Sequence, residues 1–260
     1  MKRRAWLPVL ALLAAPAAAA GQGLAGRVTG GGDGVVRMSF AAREGVEICA
    51  DGIRLFGNRM HWRGGRGYDA TCVAGPVEIE VRVRDGRVTA VETLDGREER
   101  SAGARDLGTV DARDAVAFLM DAARSGGSRG RGEEDAILPI VLADVEDAWR
   151  GILDIARDAT VASDARKSAL FWLGQEAAEA ATQGLAEVAS DEDEEQEVRD
   201  AAVFALSQRP PEEGVPVLMD VARTAREPKT RRSAFFWLAQ SDDPRVIAFF
   251  QEVLLGRRGG

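Results

Sequence analysis

The chain has 260 residues, a formal net charge of −8 and 45% hydrophobic residues. That is enough apolar side chain for a packed core, while the acidity disfavours nucleic acid and anionic lipid as bulk partners. Only one histidine and two cysteines occur, so any Ser-His-Asp or Cys-His constellation must pass through His61.

Lys2, Arg3 and Arg4 lead into an apolar run from Ala5 to Ala15, then Pro16 and an Ala-rich stretch ending at Ala20. These are the basic, apolar and small-residue regions of a secretory signal peptide, predicted over residues 1–20 with cleavage near Ala20. The apolar run is shorter than the ~20 residues a membrane-spanning helix needs, and no second long run follows it. The expectation is an exported chain, periplasmic or secreted, with no stable membrane insertion after cleavage.

Residues 21–100 read as a small β domain, because short apolar alternations are separated there by glycine. Val77, Ile79, Val81 and Val83 alternate with Glu78, Glu80, Arg82 and Arg84, and Asp85-Gly86 predicts a type I′ hairpin turn. Val35–Phe40 predicts another strand, and the stretch from Ile48 to Phe56 one or two more. So small a core gains from a covalent brace. Cys49 and Cys72, exported into an oxidising compartment, are predicted to form a disulfide. A zinc site completed by His61 is disfavoured, since no C-x-x-C spacing is present. His61, Trp62 and Tyr68 share the loop-like stretch NRMHWRGGRGYD and are the residues available for a glycan or peptide ligand. The runs Gly30–Gly34 and Gly126–Gly132 lack the strand-to-helix context of a phosphate cradle and are predicted as loops.

Residues 101–132 are predicted to hold a first helix and a Gly/Arg loop, with Val116, Leu119 and Ala123 on the apolar side of a helix from Val110 to Gly126. From residue 133 to 256 the chain repeats itself. RKSALFWLGQ ends at Gln175, VRDAAVFALSQ at Gln208 and RRSAFFWLAQ at Gln240, 33 and 32 residues apart. A shorter apolar segment precedes each, and its anchors Ile155, Val188, Val221 and Val253 are 33, 33 and 32 apart. Two apolar segments in step make each unit a helix pair. EDAILPIVLAD, one period before Ala169, is a weaker first unit. The predicted fold is mainly α with a small N-terminal β domain, the α part being a solenoid of about four helix pairs plus a final helix, then a tail over 257–260.

The pattern acidic-x-Arg-x-x-Ala-x-x-x-Leu occurs as Asp164, Arg166, Ala169, Leu173 and as Glu197, Arg199, Ala202, Leu206. It resembles HEAT repeats, in particular the short HEAT-like repeats also found in phycobilisome lyases. The third copy departs by carrying Lys229 at the acidic position before Arg231. The whole chain is similar to exported bacterial HEAT-repeat proteins, a resemblance that implies a fold and a scaffold role more than an activity.

Arg166, Arg199 and Arg231 recur in register, as do Gln175, Gln208 and Gln240. The arginines are expected to bond neighbouring repeats and loop carbonyls, the glutamines to satisfy orphan carbonyls at helix ends. Adjacent aromatics on a helix diverge by about 100°, which makes Trp172 and Trp237, with Phe204, candidates for an exposed partner-binding face. The acidic run Asp191–Glu197 is expected as a solvated loop whose acids favour the following helix N-terminus. It lacks the glycine of a calcium-binding EF-hand loop. No cofactor or metal is expected, and no catalytic constellation is found. The functional expectation is an exported, non-catalytic scaffold binding a protein partner along the concave, second-helix face of the solenoid. The alternatives are ligand binding by the β domain with the solenoid as spacer, and a lyase-like enzyme by analogy of fold alone.

Overall fold

The computed structural model describes residues 23–49, 52–55, 60–62, 72–94, 100–126, 135–175 and 179–255. The expected signal peptide, Tyr68 and the tail lie outside these residues.

Two four-stranded sheets form the N-terminal part. The larger contains β1 (Gly34–Phe40), β6 (Val77–Arg84), β7 (Arg87–Leu94) and β8 (Arg105–Thr109), in the order β7-β6-β1-β8. Its alternation is the one the sequence predicts: Val77, Ile79, Val81 and Val83 are buried with Val36, Met38 and Phe40 of the antiparallel neighbour β1. Asp85 and Gly86 have φ of 50° and 69°, the left-handed pair a type I′ turn requires, which a glycine and an aspartate tolerate best. The opposite face is polar but not loose. Glu80 is buried there, accepting from Arg37 Nη2 (2.6 Å) and the Ser101 N–H (3.0 Å). Burial alone would raise the Glu80 pKa, but the Ser101 hydroxyl, Arg37 and the Ser101 amide outweigh it and hold the carboxyl below its ordinary value.

The smaller sheet contains β2 (Val46–Cys49), β3 (Gly52–Leu55), β4 (Met60–Trp62) and β5 (Cys72–Val73), in the order β4-β3-β2-β5. Cys49 lies opposite Cys72 in the β2–β5 register, and the two form the disulfide. Two expectations need correction here. His61 and Trp62 are not in a loop: their backbone forms β4, paired through Arg54↔His61 and Ile53↔Trp62. The β domain also does not stop at residue 100, since β8 adds to the sheet edge as a parallel strand beside β1. Its sequence RDLGT has little apolar alternation, because an edge strand half open to water does not need it. A short helix, α1 (Leu24–Thr29), occupies part of the stretch expected to be β, and Arg105 closes its end by donating to the Arg27 and Val28 carbonyls (2.8 and 2.7 Å).

The helices that follow are α2 (Ala112–Arg124) with α3 (Ile137–Leu142), α4 (Ala148–Arg157) with α5 (Ser163–Gly174), α6 (Glu179–Ser190) with α7 (Gln196–Ser207), α8 (Pro211–Thr224) with α9 (Pro228–Ala239), and α10 (Pro244–Leu254). Among the described residues these are four pairs and a final helix, the predicted count. Helix α2 starts where Asp111 accepts from the Arg113 and Asp114 N–H groups (2.9 and 3.2 Å), an N-cap. Each repeat then presents small residues to its neighbour. A Cβ added to Gly174 would stand 2.9 Å from the Ala205 carbonyl oxygen, so α5 and α7 approach closely only because that position is glycine.

The β and α parts share one continuous core. Backbone bonds reinforce it: Arg43 N–H donates to the Leu142 carbonyl and Asp144 N–H to that of Ala41, both at 2.9 Å. The sheet therefore covers the first helix pair, where a solenoid would otherwise expose an apolar end.

Candidate partner-binding surface

The recurring arginines tie down the loops within their pairs, and Arg166 also bonds the next pair. Arg166 is 1% exposed. Its Nε donates to the Ala156 carbonyl at the end of α4 (3.1 Å), and its guanidinium forms a two-pronged bond to Glu194 of the next pair, one prong 3.0 Å long. Arg199 donates to the Asp191 and Glu192 carbonyls (3.0 and 3.2 Å) and to that of Glu194, and Arg231 to those of Ala225 and Arg226 (2.6 and 2.7 Å). Each arginine thus stands at the start of a second helix and satisfies the connection arriving from the first.

The glutamines act differently from the expectation. At Gln175, Gln208 and Gln240 it is the backbone N–H that closes the helix end, reaching Trp172, Ala205 and Trp237 carbonyls at 3.0–3.1 Å. The side-chain amide of Gln208 donates to the Ser207 hydroxyl instead (3.1 Å). A backbone donor is already in place at a C-cap, so the side chain is left for other work.

The acidic run Asp191–Glu197 leads from the end of α6 into the first turn of α7 and is mostly exposed, as expected, with Glu194 the exception. Glu194 is held by buried Arg166, Glu197 by Lys167 (3.2 Å), and Glu192 by Arg226 (3.0 Å). Its acids reach one repeat back and one repeat forward, but only the Arg166–Glu194 bond is buried, and the two exposed pairs add little. Among the described residues, Glu47, Cys49 and Cys72 have ligand atoms near enough for a metal ion, but both sulfurs are spent in the disulfide.

The aromatic candidates separate. Trp172 does not reach the surface: it is 2% exposed, with Phe171 at its edge (5.1 Å between rings). Phe204 is half-buried, stacked on Phe171 (6.5 Å) and against Trp237 (4.9 Å), so Phe171, Phe204 and Trp237 form a file running across three repeats. The divergence of neighbours operates, but the residue it sends outward is Phe236, 56% exposed. Trp237, with Gln208 and Gln240, lines a cleft of about 170 Å³ between α7, α8 and α9. Arg209 in the same cleft is committed to Thr182 (2.8 Å) and Glu213 (2.7 Å). The Thr182 hydroxyl and then Arg209 hold the Glu213 carboxyl below its ordinary pKa.

A second concavity was not legible as a site in the sequence. It is a groove of about 460 Å³ formed by Phe235, Phe236 and Ala239 of α9 and Phe250, Val253 and Leu254 of α10, with Arg232 at its edge. Leu254 is 83% exposed and Val253 44%. Val253 was read as the fourth copy of a core anchor, yet its counterparts Ile155, Val188 and Val221 are buried. The signal was present in the repeat itself, since among the described residues no helix follows α10 to cover this inward-facing position.

This architecture defines a class, the helical-repeat solenoid. A family model described as HEAT repeats matches residues 151–236 and 182–258, so this part of the solenoid is similar to HEAT repeats. No curated protein matches the chain. Among the described residues no helix is long and apolar enough to cross a membrane.

Proposed function

We propose that this chain is an exported, non-catalytic scaffold whose HEAT repeats bind a protein partner, and that the contact surface is the open α9–α10 end of the stack. The basic, apolar and small-residue leader supports export. The absence of any histidine from the repeats in the sequence supports a non-catalytic role. The observation that carries the binding reading is the exposed apolar stripe of Phe236, Val253 and Leu254. A contiguous apolar groove on an otherwise charged chain is the usual mark of an interaction surface. It also moves the site away from the interior of the second-helix face, where Trp172 is packed and Phe204 stacked.

A photo-reactive phenylalanine in place of Phe236 tests this on the full chain exported by its own cells. One discrete adduct with a single polypeptide is expected, and none from the same label at Val73, an exposed apolar residue of the β domain. No adduct from position 236, or the same adducts from both positions, refutes the reading.

A further inference from the structure

The repeat supplies a template for what should lie in the groove. Within the stack, the stripe of α5 formed by Lys167, Leu170, Phe171 and Gly174 faces α7: Lys167 meets Glu197 (3.2 Å), Phe171 stacks on Phe204, and Gly174 touches Ala205. The same stripe on α9 is Arg232, Phe235, Phe236 and Ala239, and it lines the groove. On the first helices, the positions of Phe250, Val253 and Leu254 in α10 correspond to Leu218, Val221 and Ala222 in α8 and to Leu185, Val188 and Ala189 in α6. All six of those earlier residues are buried. Both walls of the groove are therefore a repeat interface awaiting its next helix.

Charge specifies that helix further. Asp200 of α7 stands where Lys167 stands in α5, and Lys229 of α9 stands where Glu197 stands in α7. No ion pair joins Asp200 to Lys229 among the described residues, so the Lys167–Glu197 bond is the charge template for this interface. Arg232 begins the next contact, and it meets no carboxylate among the described residues.

Resting on the reading of this end as the partner surface, we infer that its occupant is an amphipathic helix of another protein, docking on α9 and α10 as the second helix of a fifth pair. It carries a carboxylate in its first turn for Arg232 and an aromatic side chain two turns later for Phe236, the arrangement of Glu197 and Phe204. Such a helix extends the stack by its existing geometry, an edge-on version of helix-in-groove recognition.

The probe is a synthetic peptide of the sequence EEQEVRDAAVFALSQ, this chain's own residues 194–208, cross-linked to hold it helical on the face away from Glu197, Ala201 and Phe204. Binding to the full chain is read by fluorescence anisotropy. Expected are saturable binding, a loss of at least about tenfold with Leu254→Asp in the protein or Phe204→Ala in the peptide, and a loss of about threefold to fivefold with Arg232→Glu. A Glu197→Lys peptide should recover binding to the Arg232→Glu protein. Leu254 is so exposed that its change leaves the melting temperature in place, which separates lost docking from lost folding. Absence of binding, or binding indifferent to these variants, overturns the inference while leaving the Phe236 adduct to stand or fall by itself. A dimer in sedimentation that Leu254→Asp dissolves also overturns it, by giving the groove to a second copy.

Discussion

Removing Arg166 should damage this protein more than removing any exposed charge. Its guanidinium links the second and third helix pairs, with Arg166 1% and Glu194 7% exposed. Arg166→Met keeps the stem's volume but leaves the Glu194 carboxylate buried beside an apolar side chain and the Ala156 carbonyl without its donor. Stripping one partner from a buried ion pair costs about 3–5 kcal/mol, because the remaining charge has lost its compensation. Replacing both costs far less, so Arg166→Met/Glu194→Met should recover most of the loss. Urea unfolding followed by far-ultraviolet circular dichroism measures all four members of this cycle, and the two residues should be coupled by about 2 kcal/mol or more. A single-variant loss below about 1 kcal/mol, or additive losses in the double variant, would show that Arg166 does not bind the second pair to the third.

Four further outcomes follow from the same structure. Cys49→Ser with Cys72→Ser opens a link across 23 residues and should destabilise the small sheet by about 3 kcal/mol on the chain-entropy model, seen as faster hydrogen exchange in β2 and β5 and not in α6 to α9. Trp172→Ala should cost about 3–5 kcal/mol as a cavity in the core while leaving the Phe236 photo-adduct intact; an unchanged melting temperature would contradict its burial. Gly174→Val should push α5 from α7 and cost about 1–3 kcal/mol, read by the same urea titration. Acid should weaken the fold. Glu80 and Glu213 sit below their ordinary value of 4.5, and Asp243 is lowered from 3.8 to about 2 by the Arg245 side chain and then its N–H. A depressed carboxylate stabilises the fold above its unfolded pKa and loses that contribution as pH falls through the folded one. The melting temperature should therefore be flat from neutral pH to about 5 and fall from about 4.5 to about 2. A fall beginning above pH 6 would point to other groups.

The helical part was legible because a solenoid writes its own interface repeatedly. Ala169, Ala202 and Ala234 recur because neighbouring helices leave room only for small side chains, and all three are buried. The hairpin at Asp85-Gly86 was legible for a related reason, since a backbone needing positive φ twice narrows the residues that fit. What escaped was set by relations between copies. Trp172 and Trp237 hold the same place in the motif, yet one is enclosed and the other borders a cleft, because each is covered by different neighbours. Phe236, aligned with Phe171 and Phe204, was not among the candidates, and its exposure comes from position: among the described residues its copies are covered by a following helix and it is not. The strands β4 and β8 also escaped, being edge strands with little alternation to announce them. The acidic run reads as a solvated loop and is largely one; what its composition does not show is the buried bond of Glu194 to Arg166, 28 residues away in the preceding pair.

The central claim is that the open α9–α10 end of the stack accepts a further helix, and amide hydrogen exchange on the full chain tests it most directly. With the helical 194–208 peptide bound, exchange should slow in α9 and α10, residues 228–254, and stay unchanged in the β sheets and in α4 to α6. Protection confined to β2–β5 around His61, or no protection anywhere at saturating peptide, would contradict it.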